Sequence, residues 1–250
     1  MKKLLASLAV CMAAMSANAA DYPAVLAWTQ RVVLSTPVSG VVASVPAVAG
    51  ERVSEGQVLV QLDKRPFESA LRKAGAQAHK YRLNREEAER ELQRTRELYE
   101  RTVISVHDLQ VEEIAFASAD ADYASARAQL ETAQLHLEYA TVQAPFTGLV
   151  LEVSVAPGVT VVNTQQATPM VTLARDRPMT ANARVPAEEA GTLSPGQSAT
   201  VEVDGQSYPA KVVHVGAEAD ASGRYELTVS FDPGDAALRA GMPAQIDAGR

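Results

Sequence analysis

The sequence predicts an α+β fold, mostly β, in which a long antiparallel coiled-coil α-hairpin interrupts a small sandwich-like unit and a β-barrel follows. Three observations predict it. Pro66 and Pro145 bracket 78 residues that contain one glycine, Gly75, and no proline. Only 4 of the chain's 30 valines fall there; Ala, Glu, Gln, Arg and Leu fill the stretch, so helix formers are flanked by the valines and turn residues of short strands. The flanks, finally, repeat each other across that insertion.

The amino end reads as an export signal over residues 1–19. Lys2 and Lys3 precede an apolar run from Leu4 to Met15, and Ala17-Asn18-Ala19 supplies the small-x-small cleavage pattern. The run is too short for a permanent bilayer span. Val10 before Cys11 argues against lipid attachment at that cysteine. Cleavage would remove the only thiol, leaving no means for a disulfide, a zinc–thiolate site or an iron–sulfur cluster. The formal charge is −7 and would become −9 after cleavage, which gives a nucleic acid nothing to attract. Residues 20–35 then read as an N-terminal strand segment.

Two apolar stripes run through the insertion with alternating steps of three and four. The first is Phe67, Leu71, Ala74, Ala78, Tyr81, Ala88, Leu92 and Tyr99, with Arg85 and Thr95 as polar interruptions. The second is Leu109, Phe116, Ala119, Tyr123, Ala126, Leu130, Ala133, Leu137 and Ala140. Arg101 to Ile104 carries neither stripe, and Ser105 followed by Asp108 three residues on resembles a capping box. A single helix of about 70 residues pairing with another chain is the alternative. The register break and the cap favour two helices folding back on each other over 66–141, each roughly 50 Å long.

Placing Gly40 on Gly148 aligns Val42 with Val150, Val45 with Val153, Gly50 with Gly158 and Val53 with Val161; after three extra residues, Val60 meets Val171 and Leu62 meets Leu173. A half of about 30 residues cannot bury its own apolar face, but two halves facing each other can. The halves span 36–65 and 142–174. A hairpin whose ends are both fixed on one side of that unit must project as a stalk.

The run Gly40-Val41-Val42 through Gly50-Glu51-Arg52-Val53-Ser54-Glu55-Gly56-Gln57-Val58-Leu59 to Leu62-Asp63 resembles the first half of a lipoyl or biotinyl-type domain. Ala144-Pro145-Phe146-Thr147-Gly148-Leu149-Val150 is similar to the start of the second half in periplasmic adaptor proteins, also called membrane fusion proteins. These serve tripartite systems of the resistance-nodulation-division pump type or haemolysin-secretion-like systems. Residues 175–250, with Val185-Pro186-Ala187, Ser194-Pro195-Gly196 and Gly241-Met242-Pro243, fit that family's β-barrel. The resemblance implies a non-catalytic periplasmic adaptor that self-associates into a ring of three or six copies. Such a ring bridges an inner-membrane efflux transporter and an outer-membrane channel for small-molecule export, with no cofactor. A membrane-proximal β-domain found in some members is expected to be absent or reduced to a strand near Trp28.

An Arg-x3-Leu-x6-Ser pattern near the hairpin turn is associated in that family with contact to the outer-membrane channel. Arg94, Leu98 and Ser105 match it, and the apolar pair Val103 and Ile104 at the turn suits a docking surface. Enzyme readings lack support, since no nucleophile elbow, Walker loop or dinucleotide fingerprint occurs. His79, His107, His136 and His214 are scattered without metal-ligand spacing. Lys64 lies where lipoyl carriers hold their modified lysine, but the insertion begins there, so it reads as a junction residue. The competing functional class is a periplasmic accessory protein that binds a ligand in its barrel without joining a trans-envelope channel.

Overall fold

The computed structural model describes residues 21–163 and 167–248. The expected signal segment, Cys11 included, lies outside them. The described chain runs β1 (Asp21–Leu34), β2 (Gly40–Ser44), β3 (Arg52–Val53), β4 (Val58–Leu62), α1 (Arg65–Glu100), α2 (Val106–Tyr139), β5 (Thr141–Gln143), β6 (Gly148–Val153), β7 (Thr160–Val161), β8 (Val171–Pro186), α3 (Ala187–Ala190), β9 (Ser198–Val203), β10 (Gln206–Ala219), β11 (Arg224–Phe231) and β12 (Pro243–Asp247). Two compact units emerge: residues 31–175, and the described parts of 1–30 and 176–250.

In the first unit the two sequence halves exchange strands. Gly40 and Val41 of β2 pair antiparallel with Val161 and Thr160 of β7, while Gly148 and Leu149 of β6 pair with Val53 and Arg52 of β3. These two pairings are equivalent under the 108-residue offset of the repeat. Val42 lies opposite Leu62, and Val150 opposite Leu173, as the same offset requires once three residues are inserted. The pleat sends Val42, Val53, Leu59, Leu62, Val150 and Leu173 inward, where none is more than 1% exposed. Phe146 and Met170 complete that core. Gly50 and Gly158 take φ of 87° and 88°, a left-handed turn geometry open to glycine at little cost.

The hairpin leaves from one edge of this unit. β4 pairs β5, setting Gln61 opposite Thr141, and the Leu62 amide donates to the Ala140 carbonyl at 2.8 Å. The Thr36 hydroxyl donates to the Tyr139 carbonyl at 2.7 Å. Pro66 sits in the first turn of α1, where its missing N–H has no intrahelical role. Along both helices the buried or half-buried positions follow the two stripes, with Ala78, Leu92, Ala126 and Ala133 buried. Arg85, the polar interruption, reaches across: its Nε donates to Asp120 Oδ1 at 2.5 Å and its guanidinium lies 5.4 Å from the Phe116 ring centre. Arg96 approaches Glu113 at 3.5 Å nearer the turn. Tyr99 departs from the stripe's expectation. It is 41% exposed because α1 ends at Glu100 and α2 begins only at Val106.

The second unit is a six-stranded barrel. Its strand order is β1-β12-β9-β10-β11-β8, and β1 also pairs β8, which closes the sheet and leaves no free edge. Alternation along β8 and β11 sends Ala181, Val185, Leu227, Val229 and Phe231 inward onto Leu26, Val201 and Ile246. Among the described residues no helix is long and apolar enough to cross a membrane.

Candidate functional site

The hairpin turn gathers the residues that the sequence singles out. After Glu100 the Arg101 amide donates to the Glu97 carbonyl at 3.3 Å, the Thr102 amide to Tyr99 at 2.8 Å, and the Val103 amide to Leu98 at 3.0 Å. Thr102 takes φ of 60°, which reverses the chain within a few residues. Ser105 is extended, at φ −81° and ψ 161°, and caps α2. Its hydroxyl accepts from the Asp108 amide at 3.3 Å and donates to Asp108 Oδ2 at 2.7 Å, while its amide donates to the same oxygen at 3.0 Å. These bonds from Ser105, hydroxyl first and amide second, hold the Asp108 carboxyl below the usual carboxylate range.

The five predicted residues separate in character. Val103 is 66% exposed at the turn, whereas Ile104 beside it is half-buried, because the chain turns inward there to begin α2. The pair is therefore not uniformly exposed, as the sequence reading expects. Leu98 is half-buried, and its carbonyl receives the Val103 amide. Arg94 is exposed, with its Nη1 donating to both carboxylate oxygens of Glu91 at 3.0 and 3.1 Å. It stands roughly 9 Å short of the end of α1 at 1.5 Å per residue. The Ser105 hydroxyl is engaged within its own capping box. Sequence reasoning missed Val106, Val111 and Ile114, which continue the exposed apolar surface down α2 at 55%, 47% and 70% exposure. They fall off the core stripe, and that was the signal available.

No group of three or more His, Cys, Asp or Glu side chains suited to a metal occurs among the described residues. Lys64 occupies the N-cap position of α1 without a side-chain cap bond, beside Asp63, whose carboxylate accepts from the Arg65 guanidinium at 2.6–3.1 Å.

A small sandwich built from two exchanged halves, split by a coiled-coil hairpin, is the barrel-sandwich hybrid arrangement. A family model described as the CzcB-like barrel-sandwich hybrid domain matches residues 30–171, and the chain belongs to this family, whose matched relatives are membrane fusion proteins. The macrolide export protein MacA of Escherichia coli O157:H7 is 29% identical over 190 residues, covering 70% of this chain and 51% of that protein. The efflux pump periplasmic linker BepD of Brucella suis biovar 1 is 32% identical over 141 residues, 55% of this chain and 35% of its own length. The chain spans about half the length of the MacA relatives it matches. In fold it matches a membrane fusion protein of Streptococcus pneumoniae R6 with a TM-score of 0.70 at 17% identity, covering 90% of this chain and 96% of that one.

Proposed function

We propose that this chain is a non-catalytic adaptor of a tripartite export system. It would be delivered to the periplasm by the segment 1–19 and join an inner-membrane transporter to an outer-membrane channel. The observation that carries the reading is the hairpin itself. Two helices of about 50 Å, with both ends fixed on one edge of the split sandwich, hold an apolar turn at the far end of a rod, which suits reaching a distant partner better than enclosing a substrate. Kinship with a macrolide export protein and an efflux pump linker supports export as the process. Copies would associate as a ring of three or six.

The tip would meet the channel through Arg94, Leu98 and Val103, with Ile104 and Ser105 behind them. Arg94 and Leu98 are four residues apart on one helical face. Val103 offers the exposed apolar surface, and Ser105 fixes the turn that presents it. Affinity purification of the tagged chain from crosslinked envelopes tests the reading. Recovery of both a transporter and an outer-membrane channel is expected. Recovery of neither, with a ligand bound to the chain instead, would make it an accessory binding protein.

A further inference from the structure

An irregularity in strand pairing shapes a recess on the outer surface of the barrel. Val215 of β10 lies opposite Leu227 of β11 and Ala219 opposite Tyr225, so Gly216, Ala217 and Glu218 stand against Glu226 alone. Extra residues on one strand bend it and sharpen its twist. A Cβ at Gly216 would lie 3.1 Å from the Glu226 amide nitrogen, so glycine suits the close approach of the two backbones. Just past the bulge, Asp220 reaches β8, with Oδ2 3.0 Å from Arg184 Nη1. Its Oδ1 accepts from the Ser222 hydroxyl at 2.6 Å, the Ser222 amide at 2.8 Å and the Arg224 amide at 3.1 Å. The Ser222 hydroxyl bond above all holds this carboxyl below the usual carboxylate range, so it is ionised at neutral pH.

The recess bounded by this hairpin end, β8 and β1 has a volume of about 660 Å³. Small-molecule sites span about 300–1,000 Å³. Pro23 and Val25 of β1 give it an apolar side, and Val25 is 52% exposed. Its other side holds acceptors. Asn182 Oδ1 is buried with no hydrogen-bond partner among the described residues, and Asp220 Oδ2 is buried in an ion pair that lacks the alignment of a hydrogen bond. Buried polar atoms nearly always find a partner, so two unmet oxygens lining one recess point to a donor from outside the chain. The charge has a sign as well. Asp220 answers Arg184, which leaves Glu218 and Glu226 against Arg224, and none of these three has an ion-pair partner among the described residues. The carboxylates do not gather as metal ligands, which favours a cation that brings its own apolar body.

We propose that this recess binds an organic cation, a protonated primary amine carried on an apolar body. An ammonium has three donors and no acceptor, which matches Asn182 Oδ1 and Asp220 Oδ2. Glu218 and Glu226 supply the attracting charge, and the apolar body rests on Pro23 and Val25. Arg224 works against the guest, so it sets an upper limit on affinity rather than forming a contact. The site is confined to the barrel unit and does not rest on the bridging role.

The purified full-length chain is titrated with dansylcadaverine, a fluorescent primary ammonium, and with dansyl-aminohexanoic acid, which carries the same fluorophore on a chain ending in a carboxylate. Dansyl anisotropy reads both. The cation should bind at least about tenfold more tightly than the acid. Combining Glu218→Gln with Glu226→Gln should weaken the cation roughly tenfold, and Arg224→Gln should tighten it about threefold. All three side chains are exposed, so circular dichroism melting should show the parent fold. Asn182→Leu removes an unmet buried acceptor, so it should weaken the cation roughly fivefold without lowering the melting temperature. A variant that loses stability together with binding would mark the amide as structural and overturn its role. Equal binding of the two dyes, an affinity indifferent to the double glutamine change, or no saturation by about 1 mM would overturn the site itself.

Discussion

The Gly50 amide donates to the Val150 carbonyl at 2.8 Å, and the Gly158 amide donates to the Val42 carbonyl at the same distance. The two bonds are one bond repeated under the 108-residue offset, so each half's turn is pinned by the other half's strand. The pattern extends outward: the Val42 amide donates to Val159 at 2.8 Å and the Val150 amide to Glu51 at 2.9 Å. Neither half satisfies its backbone alone, which couples two segments separated by the entire hairpin. The base of the rod is therefore as firm as the β unit.

That near-symmetry breaks at one pair, and the break is measurable. A Cβ on Gly148 would lie 2.2 Å from the Ala174 carbonyl oxygen, whereas one on its repeat partner Gly40 would meet Leu62 Cδ1 at 3.2 Å. Backbone cannot step aside as a side-chain methyl can. Gly148→Ala should cost about 3 kcal/mol, at the upper end of overpacking, and Gly40→Ala about 1 kcal/mol. Urea unfolding followed by circular dichroism reads both; equal costs would mean that β8 yields beside Gly148.

Arg85 should couple to Asp120 in a double-mutant cycle. Its guanidinium is shared between that carboxylate, the Phe116 ring and Glu89, and the Asp120 bond raises its proton affinity more than any other influence. Arg90–Glu87 and Arg94–Glu91 lie within α1 and are exposed, so their cycles should give couplings near zero. Thermal unfolding of the single and double variants checks both statements. A vanishing Arg85–Asp120 coupling would leave the apolar seam and the Arg96–Glu113 pair to hold the helices in register.

The residues explain why much of this was legible and some was not. The stripes predicted the inward positions because a heptad needs only sequence spacing, and the glycine-anchored repeat predicted that the two halves face each other, though not which strands exchange. Tyr99 belongs to the stripe by spacing but stands in the last turn of α1, where α2 is only beginning and covers it in part, which depends on where α2 starts. Ile104 read as exposed for the same reason in reverse. Barrel closure through the β1–β8 pairing was not legible, since it joins residues more than 140 positions apart with no shared pattern. At the tip, the three-residue spacing of Ser105 and Asp108 made the capping box legible, and the structure shows both halves of it.

Ser105 can be separated into its two roles. Ser105→Ala should lower hairpin stability by about 1 kcal/mol through loss of the cap, and Ser105→Asn should retain most of it. If the hydroxyl also contacts the channel, the asparagine variant will fold normally yet recover less channel. The cap has a defined pH dependence. Because the Asp108 carboxyl is lowered in the folded chain, its contribution is complete above its unfolded value near about 3.9 and declines as pH falls through the lower folded value. The protection factors of the Asp108 and Leu109 amides, exchange rates corrected for their intrinsic pH dependence, should be flat from neutrality to about pH 4 and fall only below it. Loosening already at pH 6 would show that the Asp108 cap does not set the dependence.

The last expectation divides the tip by burial. Val103→Asp places a charge where a side chain is 66% exposed, so stability should change by no more than about 0.5 kcal/mol. Ile104→Asp places the same charge in a half-buried position and should cost more, on the order of 2 kcal/mol. Arg94→Glu sets three carboxylates, with Glu91 and Glu97, along one exposed stretch and should leave the fold intact. If the tip is the docking surface, Val103→Asp and Arg94→Glu will each remove channel from crosslinked envelopes while transporter recovery stays at the parent level. Such a split could not come from a collapsed hairpin, because the Ile104→Asp variant supplies that comparison directly. Full channel recovery with both Val103→Asp and Arg94→Glu would move the contact elsewhere, first to the exposed Val106, Val111 and Ile114 along α2.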